Sequence, residues 1–256
     1  MDLTEKSRRV PEKILLGPGP TPVEGRILRA MAEPTLGHLD RDFVAIMDET
    51  RDLLRMVFQT GNDLTVAMSG TGSAGMETAC VNMIERGDKA IICSHGVFGS
   101  RMQDVAGRCG AEVVEVNAPM GRPIDPGDVE RAVKANPDAK FLGIVHAETS
   151  TGVLQPLDEI ANLAHMAGMF MIVDAVTSLG GMEVPVDRLG LDMVYSGSQK
   201  CLGCPPGLAP VTVTLLTVEV PTAARSSPVL YCPSAPAFMP AVTRRLLAAP
   251  LIATVP

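Results

Sequence analysis

Positive charge is in short supply in this chain and nowhere concentrated. Lys and Arg number 22 against 29 Asp and Glu, a formal net charge of −7. They are scattered rather than gathered into one stripe, which excludes the electrostatic footprint of a nucleic-acid binder. An anionic small molecule is not excluded, because backbone dipoles rather than net charge usually hold a single phosphate. No continuous apolar stretch reaches the roughly 18 residues needed to span a bilayer, so no membrane partner is expected. The opening MDLTEKSRRV mixes acids and bases and leads into no apolar segment. It therefore does not read as a secretory signal, and the cytoplasm is the expected compartment. Six cysteines without an export signal read as reduced thiols rather than a disulfide framework. Cys201 and Cys204 form a CxxC, but no second pair and no histidine at usable spacing completes a zinc set, so no metal is expected.

What is present is the composition of an ordinary globular protein, 46% hydrophobic and 20% charged, and 256 residues suffice for a packed core. Between residues 64 and 213, short apolar runs alternate with amphipathic stretches. That is the pattern of an α/β fold with a mostly parallel sheet flanked by helices. Strands are expected at 64–68, 90–93, 112–116, 141–145, 170–173, 193–195 and 208–213. The clearest helix covers 156–167, where Leu157, Ile160, Leu163 and Ala164 recur on one face and Pro156 sits at a permissive start. It joins two strands almost without charge, as buried parallel strands read. A second helical pattern covers 41–58, preceded by an irregular Gly17-Pro18-Gly19-Pro20-Thr21-Pro22 segment that reads equally as a linker.

From Thr214 the character changes. Residues 214–256 hold seven prolines, one acid, no lysine and no glycine, whereas all 24 glycines lie earlier. No amphipathic period survives the prolines. This tail is expected to be disordered or foreign to the preceding domain, the product of a shifted or misassembled reading frame.

Three features follow strands at what the βα pattern makes the carboxyl edge of the sheet, where open α/β folds bind ligands. The first is Ser69-Gly70-Thr71-Gly72-Ser73-Ala74-Gly75-Met76-Glu77, between an apolar strand and a helical stretch. Its small residues let the backbone approach an anion, and the free N–H groups of the helix start, with the Thr71 and Ser73 hydroxyls, can hydrogen-bond a phosphate. Gly70, Gly72 and Gly75 also have the GxGxxG spacing of an NAD-dependent enzyme. The next strand, however, ends Ile92-Cys93-Ser94-His95-Gly96 without the acid that would hold a ribose. A plain structural turn is the other alternative. The second feature is Asp174, after an apolar strand. A carboxylate there is costly to bury without a cationic partner, and a protonated pyridine nitrogen would be one. A helix N-cap or metal ligand is the competing reading. The third is Lys200, one of six lysines, set amid small uncharged residues just past a strand. Desolvation of an amine there would make it nucleophilic.

The phosphate loop, Val173-Asp174-Ala175-Val176, and Ser196-Gly197-Ser198-Gln199-Lys200 followed by Pro205-Pro206-Gly207 resemble the class V, fold-type I aminotransferases, which depend on pyridoxal 5'-phosphate. Glu148-Thr149-Ser150-Thr151-Gly152 with its continuation to Leu157, and Leu16-Gly17-Pro18-Gly19-Pro20, narrow the resemblance to the alanine-glyoxylate and serine-glyoxylate group. It covers residues 14–213. The resemblance implies that Lys200 forms the Schiff base and shuttles the α-proton, and that Asp174 pairs with the pyridine nitrogen. Thr71, Gly72 and Ser73 would bind the phosphate with help from Gln199, and Thr149 the ring hydroxyl. Phe98 stands where the group often has a stacking tryptophan, and Gly19 would lie at the active-site mouth against substrate. Gln199 occupies the place of the histidine that precedes the lysine in cysteine desulfurases, which weighs against that activity.

The implied reaction is transamination between a small amino acid, alanine or serine, and a 2-oxo acid, glyoxylate or pyruvate, by a homodimer. The implied organisation is an N-terminal segment (1–40), an incomplete PLP-transferase fold-type I large domain (41–213) and the unmatched tail (214–256). The C-terminal small domain, with its arginine for the substrate carboxylate, would be absent. A catalytically impaired PLP-binding fragment is therefore the alternative.

Overall fold

Strands in the middle of this chain carry apolar side chains on both faces, and each face is covered by helices. The computed structural model describes residue 11 and residues 13–214. In chain order the elements are α1 (Gly25–Met31), α2 (Arg41–Phe58), β1 (Leu64–Ser69), α3 (Gly72–Met83), β2 (Lys89–Ser94), α4 (Val97–Cys109), β3 (Glu112–Asn117) and α5 (Pro126–Ala135). There follow β4 (Phe141–Val145), β5 (Ala147–Glu148), β6 (Val153–Leu154), α6 (Asp158–Met166), β7 (Phe170–Asp174), α7 (Val186–Leu189), β8 (Met193–Tyr195) and β9 (Leu208–Val213). Each strand expected from the sequence is there, and the helices expected at 41–58 and 156–167 are α2 and α6.

The main sheet has seven strands in the order β1-β9-β8-β7-β4-β2-β3. The ladders from β8 through β7, β4 and β2 to β3 are parallel, while β9 runs antiparallel to both β8 and β1. The sheet is therefore mixed, with one reversed strand, and β1 points the same way as β8. β5 and β6 form a separate antiparallel pair.

The two-residue period of the strands divides the core. Ile91, Cys93, Leu142, Ile144, Met171 and Val173 face a cluster completed by Phe58 of α2, Val129 of α5 and Ile160 and Ala164 of α6. Ala90, Ile92, Phe141, Val145 and Ile172 face the opposite cluster, with Met76 and Ala79 of α3 and Met102 and Ala106 of α4. Side chains alternate along every one of these strands, as pleating requires. Burying each large aliphatic side chain contributes about 1.5–3 kcal/mol.

The sequence gives no signal for α1, because this helix buries no residue and so has no apolar stripe to reveal it. The tail expected from residue 214 onward lies, apart from Thr214, outside the described residues, as do Arg225, Cys232, Arg244 and Arg245. Thr214 itself is tied to the sheet, its N–H donating to Asp192 O at 2.8 Å. Among the described residues no helix is long and apolar enough to cross a membrane.

α4 contains two glycines in opposite situations. A Cβ on Gly99 would meet the Ser94 backbone Cα at 2.6 Å, whereas on Gly107 nothing comes nearer than Val113 at 3.9 Å. Gly99→Ala is expected to destabilise the protein by about 2 kcal/mol through forced separation of α4 from β2. Gly107→Ala should stabilise it by about 0.5–1 kcal/mol through helix propensity. Chemical denaturation of the two variants checks both signs.

Candidate active site

Because β1, β7 and β8 point the same way, the residues that follow them meet at one edge of the sheet. Asp174 is the last residue of β7, Ser69 the last of β1, and Lys200 lies in the turn after β8.

The loop after β1 leads directly into α3. Thr71 is the N-cap, with extended backbone and no side-chain cap hydrogen bond, so this helix start offers its free N–H groups and its positive dipole end outward. Close approach is built in by glycine. A Cβ on Gly72 would stand 2.6 Å from Val176 Cγ2, and one on Gly197 would stand 3.4 Å from Gly72 N and 3.1 Å from Gln199 Oε1. Gly72, flanked in the chain by Thr71 and Ser73, and Gln199 thus meet at Gly197. Gln199 Oε1 is buried and has no hydrogen-bond partner among the described residues. Rotated by 180°, the same amide presents its NH₂ there, a donor suited to an anion.

Asp174 is 3% exposed. Its Oδ1 accepts from Val176 N–H at 2.9 Å and its Oδ2 from the hydroxyl of Tyr195, also at 2.9 Å. The β7–β8 ladder sets Asp174 directly opposite Tyr195, so the register itself makes the second bond. Burial pushes the carboxyl up from its ordinary 3.8 to about 6, against the opposing effect of these two donors and of the Lys200 charge. Each oxygen retains a lone pair. Among the described residues no cation pairs directly with this acid, and a ring N–H⁺ is the chemical type that would complete it.

Lys200 Nζ donates to Pro18 O at 2.7 Å. The Gly17-Pro18-Gly19-Pro20 segment is therefore not a free linker but lies across the lysine. Thr21 N–H donates to Gln199 O at 3.1 Å and its hydroxyl to Lys200 O at 3.3 Å. Gly19 has φ +113°, and a Cβ there would fall 2.6 Å from Lys200 Cδ and 2.8 Å from Nζ. Thr149 Oγ1 shares a hydrogen bond with Thr177 Oγ1, which ties it to the segment following Asp174. Phe98, in the first turn of α4, is half-buried against the core cluster containing Met76 and Met102.

All nine residues singled out in the sequence lie at or beside this edge. Sequence reasoning missed the partners that hold them: Tyr195 on Asp174, Val176 against Gly72, Thr21 on the Lys200 turn and Glu148 beneath Phe98. One signal was available for Glu148, an acid that follows an apolar strand with no lysine or arginine within seven positions.

An uncapped helix start with the Gln199 side-chain amide beside it, a buried acid suited to a cation, and an amine at the same edge fit pyridoxal phosphate. The sheet and its helices are those of the fold-type I PLP-dependent transferases. The chain belongs to the aminotransferase class-V family, whose pattern matches residues 26–230. It is 40% identical over 204 residues to alanine–glyoxylate aminotransferase of Rattus norvegicus, a match covering 80% of this chain and 49% of that protein. The crystal structure of alanine–glyoxylate aminotransferase from Nostoc sp. superposes with a TM-score of 0.80 at 44% identity, over 83% of this chain and 56% of the other. Ureidoglycine–glyoxylate aminotransferase from Bacillus subtilis gives 0.79 at 38% identity, over 82% and 54%. The chain spans about half the length of the curated relatives it matches.

The raised pKa of Asp174 has a measurable sign. The folded protein holds a proton there up to about pH 6, whereas the unfolded chain releases it near 3.8. Stability from this group is therefore greatest below pH 3.8, falls as pH rises to about 6, and is level above. The fall is expected to be about 3 kcal/mol. Urea denaturation of the cofactor-free protein and of Asp174→Asn at several pH values between 4 and 7 should give two curves that diverge over that window.

Proposed function

We propose that this site binds pyridoxal 5'-phosphate and transfers an amino group between a small amino acid, alanine or serine, and a 2-oxo acid, glyoxylate or pyruvate. The observation that carries the reading is the convergence of Asp174, Lys200 and the uncapped start of α3 at one sheet edge. The names of the relatives support the substrate class, glyoxylate recurring in several of them.

When bound, pyridoxal phosphate supplies an aldehyde that links covalently to amines and a protonated ring that accepts the electron pair released at a substrate α-carbon. The protein's own residues do the rest. Lys200 would hold the cofactor through Nζ and would move the substrate α-proton, as general base and then as general acid. Asp174, ionised by a cationic partner, keeps the ring nitrogen protonated. Gly72 and Ser73 amides, the Thr71 hydroxyl and Gln199 hold the phosphate, and Thr149 the ring hydroxyl. Phe98 would offer a face for the ring to stack on, with a smaller area than an indole would give. Gly19 keeps the approach to Lys200 open because no side chain fits there. A homodimer is part of the same reading, carried by the resemblance.

A second reading is favoured by the coverage of about half of each relative. No arginine among the described residues is assigned to the substrate carboxylate, and a bidentate guanidinium contact both orients and selects an amino acid. On that reading these 256 residues bind the cofactor and turn over poorly.

Incubation with pyridoxal phosphate followed by borohydride should fix the label on Lys200 and on no other lysine, as read by peptide mapping, and label elsewhere overturns the site. Lys200→Ala should lose the label and at least a thousandfold of any transamination, an estimate from the usual weight of general acid–base catalysis together with covalent binding. Pyruvate release from alanine and glyoxylate then separates the two readings: robust turnover defeats the fragment.

A further inference from the structure

α4 starts without a cap of its own, since its N-cap residue is Gly96. Its first N–H groups are nevertheless all taken up, by a segment 50 residues further along the chain. Val97 N–H donates to Ser150 Oγ at 3.0 Å, and Phe98 and Gly99 N–H both donate to Glu148 Oε2, at 3.1 and 3.2 Å. The other carboxylate oxygen accepts from Ser150 N–H at 3.1 Å and from the Ser150 hydroxyl at 2.7 Å. Glu148 is 1% exposed, a buried anion held by oriented donors and the positive end of a 13-residue helix.

The joint is tight on both sides. A Cβ on Gly96 would fall 2.3 Å from Glu148 Cγ, and one on Gly99 would fall 2.6 Å from Ser94 Cα. Ser94 Oγ also donates to Gly96 O at 3.1 Å and pairs with Ser100 Oγ at 3.0 Å. Between Glu148 and Ser150 stands Thr149, and on the capped turn stands Phe98. Two side chains to which the preceding reading gives different contacts with one ring, the hydroxyl and the face, are thus fastened to a single connection.

We propose that Glu148 and Ser150 are positioning residues, which cap α4 from a distance and so fix Phe98 relative to Thr149, setting the slot for the cofactor ring. The inference rests on the site being a pyridoxal phosphate site. Glu148→Gln keeps the shape but turns an amide NH₂ toward N–H donors, so two of the charge-assisted bonds are lost. Cofactor affinity, measured by titration of the purified chain with pyridoxal phosphate, should weaken roughly 30-fold. Ser150→Ala keeps the carboxylate on α4 but strands Val97 N–H, and should weaken binding about fivefold.

In both variants the visible circular dichroism per bound cofactor should drop, because the ring loses its fixed environment, which general destabilisation of the fold would not produce. In a Phe98→Leu background each substitution should add less than about a threefold further loss, as residues acting through one another are non-additive. Ser150→Ala carries the same cycle should Glu148→Gln fail to fold. Wild-type affinity and dichroism in the variants, or effects fully additive with Phe98→Leu, overturn the inference. A wild-type chain that takes up no pyridoxal phosphate overturns both the inference and the reading beneath it.

Discussion

A carboxylic acid ends the central strand of the sheet at 3% exposure, and the site is arranged around the difficulty of keeping it there. Two neutral donors, Val176 N–H and Tyr195 O–H, occupy one position on each oxygen of Asp174 and still leave its pKa at about 6. Removing a charge from water is costly by several kcal/mol, and neutral donors recover only part of it. The remainder is held as a demand for positive charge. The strands on either side answer geometrically: the connection after β8 brings Lys200 close enough to lower the Asp174 pKa, and the segment after β4 brings Thr149 onto Thr177. The strand pairing that makes the fold therefore also makes the electrostatics, because Tyr195 faces Asp174 only in the observed register of β7 and β8.

Much of this was legible in the residues. Strands such as Phe141–Val145 and Phe170–Asp174 stand out because they are nearly free of charge, which is what burial on both faces requires. α2 and α6 stand out by their stripes. Asp174 and the loop of small residues at 69–77 could be singled out one at a time, since each has a local anomaly, an acid after an apolar run or glycines before a helix. The direction of β9 could not be read, because a two-residue period is the same in either direction. Nor could α1, which hides nothing from water.

The contacts that complete the site were illegible for a different reason: they join residues far apart. Pro18 and Lys200 are separated by 182 positions, and Glu148 and Phe98 by 50. No spacing rule connects them, and only the resemblance put Gly19 at the mouth of the site. Glu148 shows the limit well. As a residue in a motif it was visible from the start, but its work as a remote helix cap depends on Gly96 being unable to carry a side chain between them.

The reversed strand has a consequence for how the molecule is made. β1 is at the sheet margin, and its neighbour in the sheet is β9, the last strand described, with 149 positions separating the paired Leu64 and Val213 and 139 separating the paired Ser69 and Leu208. A chain emerging from the ribosome can pair β2, β3, β4, β7 and β8 with one another as they appear, but β1 must wait with an unpaired margin until residues 208–213 are released. Until that moment the loop at 69–73 has no fixed relation to Lys200. The last of the described strands thus acts as a keystone, and long-range closure of this kind is slow and leaves strand edges open to wrong partners in the interval.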